Sequence, residues 1–190
     1  MLDVTTAFAT FPALETERLT LRVATADDAP AMYRIMADPL AMRYFGRAPM
    51  TSLDQAVQRI RDTEKAFEEC EAVRWAITLR GQSELVGTCG FWRLMKDHHR
   101  AEIGYELSPE FWGCGIMPEA VGAALHFGFT TLGLHSVEAH IHPDNTGSRR
   151  VLEKLGFVQE ALFRENFREP DGQFSDTVVF SILRTTWMDR

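Results

Sequence analysis

The chain has 190 residues, 45% hydrophobic and 25% charged, a composition that suits a single globular domain burying roughly 70% of its unfolded surface. A net charge of −7, from 27 acidic against 20 basic residues, argues against a nucleic-acid stripe or a polybasic membrane patch and is compatible with a cationic or amine substrate. The three cysteines, Cys70, Cys89 and Cys114, form no C-x-x-C pair, so neither a disulfide framework nor a zinc site is implied.

Residues 1–14 read as an N-terminal tail and 15–185 as one domain. The tail contains Asp3, no basic cluster and only a short apolar run, so it makes no signal peptide. No stretch approaches the roughly 18 apolar residues of a membrane span, which predicts a soluble, cytoplasmic protein. Arg18 to Val23 alternates as a strand, and Ala26 to Ala37 reads as a helix after Thr25 and Asp27, ended near Pro39. Leu53 to Glu69 predicts a longer helix capped by Thr51 or Ser52, with Leu53, Ala56, Val57, Ile60 and Phe67 on or near one face. Val73 to Leu79 and Leu85 to Met95 predict a hairpin across Arg80-Gly81-Gln82-Ser83. A loop holding His98 and His99, solvated or in contact with substrate, leads to a strand over Ala101 to Leu107.

That strand ends in Ser108-Pro109-Glu110-Phe111-Trp112-Gly113-Cys114-Gly115-Ile116-Met117-Pro118-Glu119-Ala120. Gly113 and Gly115 leave the backbone bare, and helical spacing follows through Val121, Ala124, Leu125, Gly128 and Leu132, with Gly122 and Ala123 permitting close approach to the sheet. Backbone N–H groups at a helix start lack intrahelical partners, and the helix dipole adds roughly half a positive charge there, so an anion is the natural occupant. The spacing is not that of a P-loop, which needs a Lys, nor of a dinucleotide fingerprint, since Pro118 stands where a third Gly is required. A tight turn without a ligand is the competing reading.

Downstream, His135 to His142 alternates as a strand, Pro143-Asp144-Asn145 offers helix caps, and Ser148 to Leu155 predicts a short helix stopped by Gly156. His140 and His142 share a strand face near Asp144 but lack a clear third ligand, so no metal is expected. Val158 to Arg168 and Phe174 to Leu183 predict two strands around Pro170-Asp171-Gly172, and Arg184 to Arg190 a short exposed tail.

The chain resembles the GNAT acyltransferases, and within them the RimJ/RimL-like group of protein N-acetyltransferases. The resemblance rests on Glu15-Thr16-Glu17-Arg18-Leu19-Thr20-Leu21-Arg22, on Ala101-Glu102-Ile103-Gly104-Tyr105-Glu106-Leu107-Ser108-Pro109, on Trp112-Gly113-Cys114-Gly115, and on Asn145-Thr146-Gly147-Ser148 with Val151-Leu152-Glu153-Lys154-Leu155-Gly156-Phe157, in family order. Two positions depart from the pattern: Glu110 stands where the family turn begins with Gln or Arg, and Cys114 where relatives often carry Lys. The resemblance implies an α/β GNAT acyl-CoA N-acyltransferase fold, a mixed central sheet flanked by helices, acetyl-CoA as co-substrate, and direct acetyl transfer to an amine without an acyl-enzyme. It is compatible with a homodimer.

Such a transfer needs a group to take the amine proton and one to return a proton to the thiolate. The resemblance makes Glu102 the first choice of base, with Glu106 competing at the same strand parity and Glu165 a third choice on a later strand. Ser148 is the choice of acid, its alternative being a helix cap, and Asn145 matches the residue at the pantetheine arm. The backbone amides of Gly113, Cys114, Gly115, Ile116 and Met117 would hold the phosphates, with Leu107 at the strand end and Trp112 as a wall or as a buried packing aromatic. The acceptor is expected to be a protein α-amino group, as in ribosomal-protein-alanine acetyltransferases. The alternatives are a small-molecule amine such as a polyamine, amino acid or antibiotic, or a non-catalytic CoA-binding module. A deep acidic pocket between the Leu53 to Glu69 helix and the final hairpin would favour the small molecule; an open groove would favour a peptide.

Overall fold

A computed structural model describes Leu2 and residues 4–189; Met1, Asp3 and Arg190 lie outside the described residues. Its strands are β1 (Leu14–Glu15), β2 (Leu19–Arg22), β3 (Val73–Leu79), β4 (Leu85–Met95), β5 (Arg100–Leu107), β6 (Ser136–Ile141), β7 (Val158–Arg168) and β8 (Phe174–Leu183). They form one sheet in the order β1-β2-β3-β4-β5-β6-β8-β7, antiparallel at every junction except β5–β6, which is parallel. The helices are α1 (Ala29–Ala37), α2 (Pro39–Met42), α3 (Leu53–Glu68), α4 (Ile116–Thr130), α5 (Thr146–Lys154) and α6 (Arg184–Met188). This is the mixed α/β arrangement expected, and no helix among the described residues is long and apolar enough to cross a membrane.

Local chemistry fixes the helix starts. The Gln55 side chain accepts from the backbone N–H groups of Thr51 and Ser52 ahead of α3, and Asn145 Oδ1 accepts from the Ser148 N–H at 3.0 Å at the start of α5. Asp28, buried before α1, takes both guanidinium ends of Arg22 at 2.7 and 2.8 Å and ties that helix to β2. The strands distribute their side chains between two layers. On one face Leu21, Trp75, Cys89, Phe91, Ile103 and Val137 pack under α4. On the other, α1 and α3 cover Ala76 and Leu85 at the β2–β4 side.

Three expectations change. The described part of the N-terminal segment, residues 2 and 4–14, packs on the domain: Leu2 and Ala7 are buried in the main core, Phe8 and Phe11 pack on Phe67, and the Pro12 carbonyl accepts from Trp75 Nε1 at 2.6 Å. A buried indole N–H needs an acceptor, and this segment supplies it. The C-terminal stretch is exposed as expected apart from Trp187, which lies against the Phe129 ring, but it is helical, forming α6. Lastly, Gly128 and not Gly122 brings α4 close to the sheet. A Cβ on Gly128 would lie 2.8 Å from Phe91 Cζ, whereas one on Gly122 would meet Leu155 at an ordinary 3.7 Å.

This difference gives a paired prediction. Gly128→Val should lower the unfolding free energy by about 1–3 kcal/mol through overpacking against the buried Phe91 ring, while Gly122→Ala should raise it by about 0.5–1 kcal/mol through helix propensity. Urea denaturation of the two variants checks both signs.

Candidate active site

β5 and β6 pair at Arg100↔Ser136, Ala101↔Val137 and Glu102↔Glu138 and then part. Beyond that point β5 continues to Leu107 against β4 only, and β6 continues to Ile141 against β8 only. One edge of β5 from Ile103 onward therefore lacks a strand partner. A cavity of about 590 Å³ occupies this gap. Alternate residues of a strand face opposite sides of a sheet, yet Glu102 and Gly104 from one face and Ile103 and Tyr105 from the other line the same cavity. It therefore passes through the sheet. On the α3 side a loop roofs it: Tyr44 stacks on His142 with ring centroids 5.0 Å apart, and Gly46, at φ +69, lies where a Cβ would fall 2.6 Å from Phe167 Cζ.

Glu102 sits at the last paired position, 5% exposed, accepting from Arg93 Nη1 at 3.0 Å. Burial pushes its carboxyl above the ordinary value; Glu138 opposite adds to the rise, and His140 and Arg93 hold it back. Glu102, Glu138 and His140 bring three donor atoms within 4.8 Å of one another. Two of the three are engaged by guanidinium groups, Glu102 by Arg93 and Glu138 by Arg100, and His140 Nε2 lies 3.6 Å from Glu138.

Glu106, of the same strand parity, has a different fate. It accepts from Thr88 Oγ1 and from Arg74 Nη1 at 2.9 Å, with Arg59 Nη2 at 3.9 Å. Burial alone would raise its carboxyl, but the Arg74 and Arg59 charges and these hydrogen bonds outweigh that and hold it below the usual carboxylate range. It is a structural counter-ion.

Glu165 is not brought to the cavity. It falls at a register shift between Phe163 and Phe167, at φ +46 and exposed, with its N–H bonded to Asp176 at 2.8 Å, while Asn166 and Phe167 line the cavity in its place. His98 and His99 line a separate cavity of about 430 Å³ beside Gly133 and His135.

On the α4 side Asn145 and Ser148 line the gap together with Tyr105, whose hydroxyl donates to the Ser148 carbonyl at 3.3 Å. Burial pushes the Tyr105 phenol up. Asn145 caps α5, so the Ser148 hydroxyl is not used as the cap. Farther along, Gly113 and Gly115 both adopt φ +76 and α4 begins at Ile116, leaving the first-turn N–H groups of Ile116 and Met117 without intrahelical partners. The Cys114 N–H makes a long bond, 3.4 Å, to the Phe111 carbonyl. Leu107 gives its carbonyl to Trp112 Nε1 at 2.9 Å, and Trp112 is 46% exposed, so it is not a buried packing residue.

The cation missing at Cys114 has a neighbour from elsewhere in the chain. Arg18 Nη1 donates to the Cys114 carbonyl at 3.0 Å, Arg18 Nη2 lies 3.3 Å from the position of a Gly115 Cβ, and Glu119 clamps Arg18 at 2.6 Å.

Sequence reasoning missed Tyr105, Arg59 and Arg74. The available signal for the two arginines was a charged residue at an inward position, Arg59 beside Ala56 and Ile60 on α3 and Arg74 between Val73 and Trp75 on β3.

Residues 18–158 match the family described as the acetyltransferase (GNAT) domain. The chain is 39% identical over 174 residues to the uncharacterized N-acetyltransferase YoaA of Bacillus subtilis, covering 92% of this chain and 98% of that one. It is 28% identical over 107 residues to the [ribosomal protein uS5]-alanine N-acetyltransferase of Escherichia coli, covering 56% and 55%. It is 25% identical over 173 residues to the spermidine N(1)-acetyltransferase of Vibrio cholerae, covering 91% and 97%. Among solved structures, Mycobacterium smegmatis RimJ in complex with CoA-disulfide superposes with a TM-score of 0.76 at 26% identity, covering 87% of this chain and 81% of that one.

The buried Glu106 cluster yields a prediction with a definite sign. The folded carboxyl titrates below its unfolded value near 4.3, so its stabilisation is present above that pH and is lost as pH falls through the folded value. Glu106→Gln should destabilise the fold at pH 7 by about 3–5 kcal/mol, because two guanidinium groups lose their shared counter-charge. Urea titrations of wild type and variant should show that gap narrowing as the pH is taken below about 4.

Proposed function

The chain belongs to the GNAT acetyltransferases and is an acetyl-CoA-dependent N-acetyltransferase, and on that premise we propose that the β5–β6 gap is where transfer occurs, directly and without an acyl-enzyme. The observation that carries this reading is the cavity through the sheet, with a buried carboxylate at one side of the gap and hydroxyl groups at the other. The free edge of β5 suits an amide-bearing pantetheine chain, which can replace the lost strand hydrogen bonds. The left-handed glycines and the first turn of α4 suit the pyrophosphate, through the backbone amides of Gly113, Gly115, Ile116 and Met117, with Arg18 in the place of the cation absent at Cys114.

Bound acetyl-CoA supplies an activated acyl carbon. Glu102 takes the proton from the attacking nitrogen, and its raised affinity for protons makes it a stronger base than an ordinary carboxylate. The Ser148 hydroxyl gives a proton to the departing sulfur, with Tyr105 fixing the Ser148 backbone. The nitrogen exchanges a proton for an acetyl group and the sulfur exchanges an acyl group for a proton; the proton taken up by Glu102 is released to solvent and Ser148 regains one from it, so the cycle balances without any further reactant.

For the acceptor, our first reading is an α-amino group at a protein N-terminus, supported by the RimJ/RimL-like motifs and by the similarity to a ribosomal-protein-alanine acetyltransferase. An α-amine is free base in about one molecule in seven at pH 7, against about one in 2,500 for lysine, which matches a base of modest strength. A polyamine is the less favoured small amine, because the four arginines that line the cavity, Arg47, Arg59, Arg74 and Arg93, outnumber its three carboxylates, Glu102, Glu169 and Asp176. A small-molecule amine is the second reading, favoured by the Tyr44–His142 and Gly46–Phe167 contacts that roof the acceptor side.

Calorimetric titration with acetyl-CoA, followed by thiol-release assays on N-terminal peptides and small amines, tests the reading; binding without release on any amine would reduce the protein to a CoA-binding module. Glu102→Gln should lower kcat/KM by about 10²–10⁴-fold with acetyl-CoA affinity retained. The acid limb of the wild-type pH profile, where Glu102 becomes protonated, should lie above the ordinary carboxylate range and disappear in that variant. Ser148→Ala should lower kcat on the order of 10²-fold, and because Asn145 is the cap, urea unfolding should show stability within about 0.5 kcal/mol of wild type.

A further inference from the structure

Arg59 Nε is the one buried side-chain nitrogen or oxygen among the described residues that has no hydrogen-bond partner. Its guanidinium projects from α3 and lines the acceptor side of the cavity. The buried carboxylate it faces, Glu106, is 3.9 Å from Nη2 and is already engaged by Arg74 and Thr88. One carboxylate thus serves two guanidinium groups. Burial lowers the proton affinity of Arg59 and the Glu106 charge opposes this; Arg74 and Arg47, the latter a third positive charge from the roofing loop, add to the lowering, and Asp62, exposed and held by Gln58, offsets it weakly.

The position of this positive pole relative to the reacting centre is set by the sheet. Arg74 Nη2 lies 3.3 Å from where a Gly104 Cβ would be, so the absence of a side chain at Gly104 lets the cation rest against β5. Gly104 is two residues from Glu102, a separation of about 7 Å along a strand. The other carboxylates of the cavity are Glu169, which accepts from Ser175 at 2.6 Å, and Asp176, which accepts from the Glu165 N–H, both on the β7–β8 hairpin.

We infer that the acceptor amine also carries a carboxylate or phosphate about 7 Å from its nitrogen, and that Arg59 and Arg74 bind this group while Glu102 receives the amine. A largely buried guanidinium with an unsatisfied Nε and a shared counter-ion is costly by itself, and a planar anion in the cavity that Arg59 and Arg74 line makes charge-assisted hydrogen bonds to both guanidinium groups at once. A peptide with an acidic second residue and a short aminoalkyl phosphate both carry this chemistry. The inference deepens the transferase reading and rests on it.

Calorimetry on the CoA-saturated protein tests it with three product-like ligands: N-acetyl-alanyl-aspartate amide, N-acetyl-alanyl-asparagine amide and N-acetyl-3-aminopropyl phosphate. Either anionic ligand should bind at least about 10-fold more tightly than the asparagine form, equivalent to about 1.4 kcal/mol, and which of the two binds better identifies the source of the anion. Arg59→Gln should abolish the preference and Arg59→Lys restore part of it. Arg47→Gln, in an exposed loop, should weaken the preference even if the Arg59 variants fail to fold. Equal binding of all three ligands to the wild-type protein would overturn the anion site. Parallel thiol-release assays on the unacetylated amines separate the two claims. Anion preference in binding without turnover of any amine would support the site and contradict the transferase reading. Turnover without anion preference would do the reverse.

Discussion

Two parallel strands that hydrogen-bond at three positions and then diverge leave backbone donors and acceptors facing a gap, and a buried backbone group without a partner is costly. In this sheet the divergence of β5 from β6 creates the free edge, opens a passage between the two faces, and ends the pairing at Glu102 and Glu138. The remaining elements are arranged around that opening. α4 buries one face and presents its first turn beyond the end of β5; α1 and α3 cover only the β2–β4 side of the other face. The uncovered part, closed by the 43–47 loop and the β7–β8 hairpin, is where we propose that the acceptor enters.

Charge is partitioned along β5 by the same geometry. Glu102 and Glu106 lie on one face, are both nearly inaccessible to water and shift in opposite directions. Desolvation acts on both. The difference comes from partners: Glu106 receives two guanidinium groups and a hydroxyl, whereas Glu102 shares its surroundings with Glu138 and has Arg93, itself half-exposed, as its cationic hydrogen-bond donor. One carboxylate is thereby suited to neutralising fixed charge and the other to exchanging a proton.

Most strands and helices were legible in the sequence, because period, caps and glycine turns are local. The glycine turn was legible for the same reason: two glycines one residue apart before a helical pattern specify left-handed backbone wherever the chain runs. What escaped depended on partners far away in sequence. The resemblance put Glu102 ahead of Glu106, but the physical ground that separates them, Arg59 and Arg74 beside Glu106, shares no motif with β5. Glu165 stands away from the cavity because β7 carries two extra residues between Phe163 and Phe167, a step of four residues there facing a step of two on β8, and nothing local announces that insertion. Packing of the segment around Pro12 depends on Trp75, which needs an acceptor, and on the distant Phe67 ring, neither of which the segment itself announces. Choosing Gly128 over Gly122 required knowing where the Phe91 ring stands.

The central claim is that the β5–β6 gap together with the α4 turn is the acetyl-CoA site, and amide hydrogen exchange with and without the co-substrate tests it most directly. Protection should rise at the β5 amides that point into the gap between Ile103 and Leu107 and at Gly113, Gly115, Ile116 and Met117. Saturating binding with exchange unchanged at both segments would contradict the account.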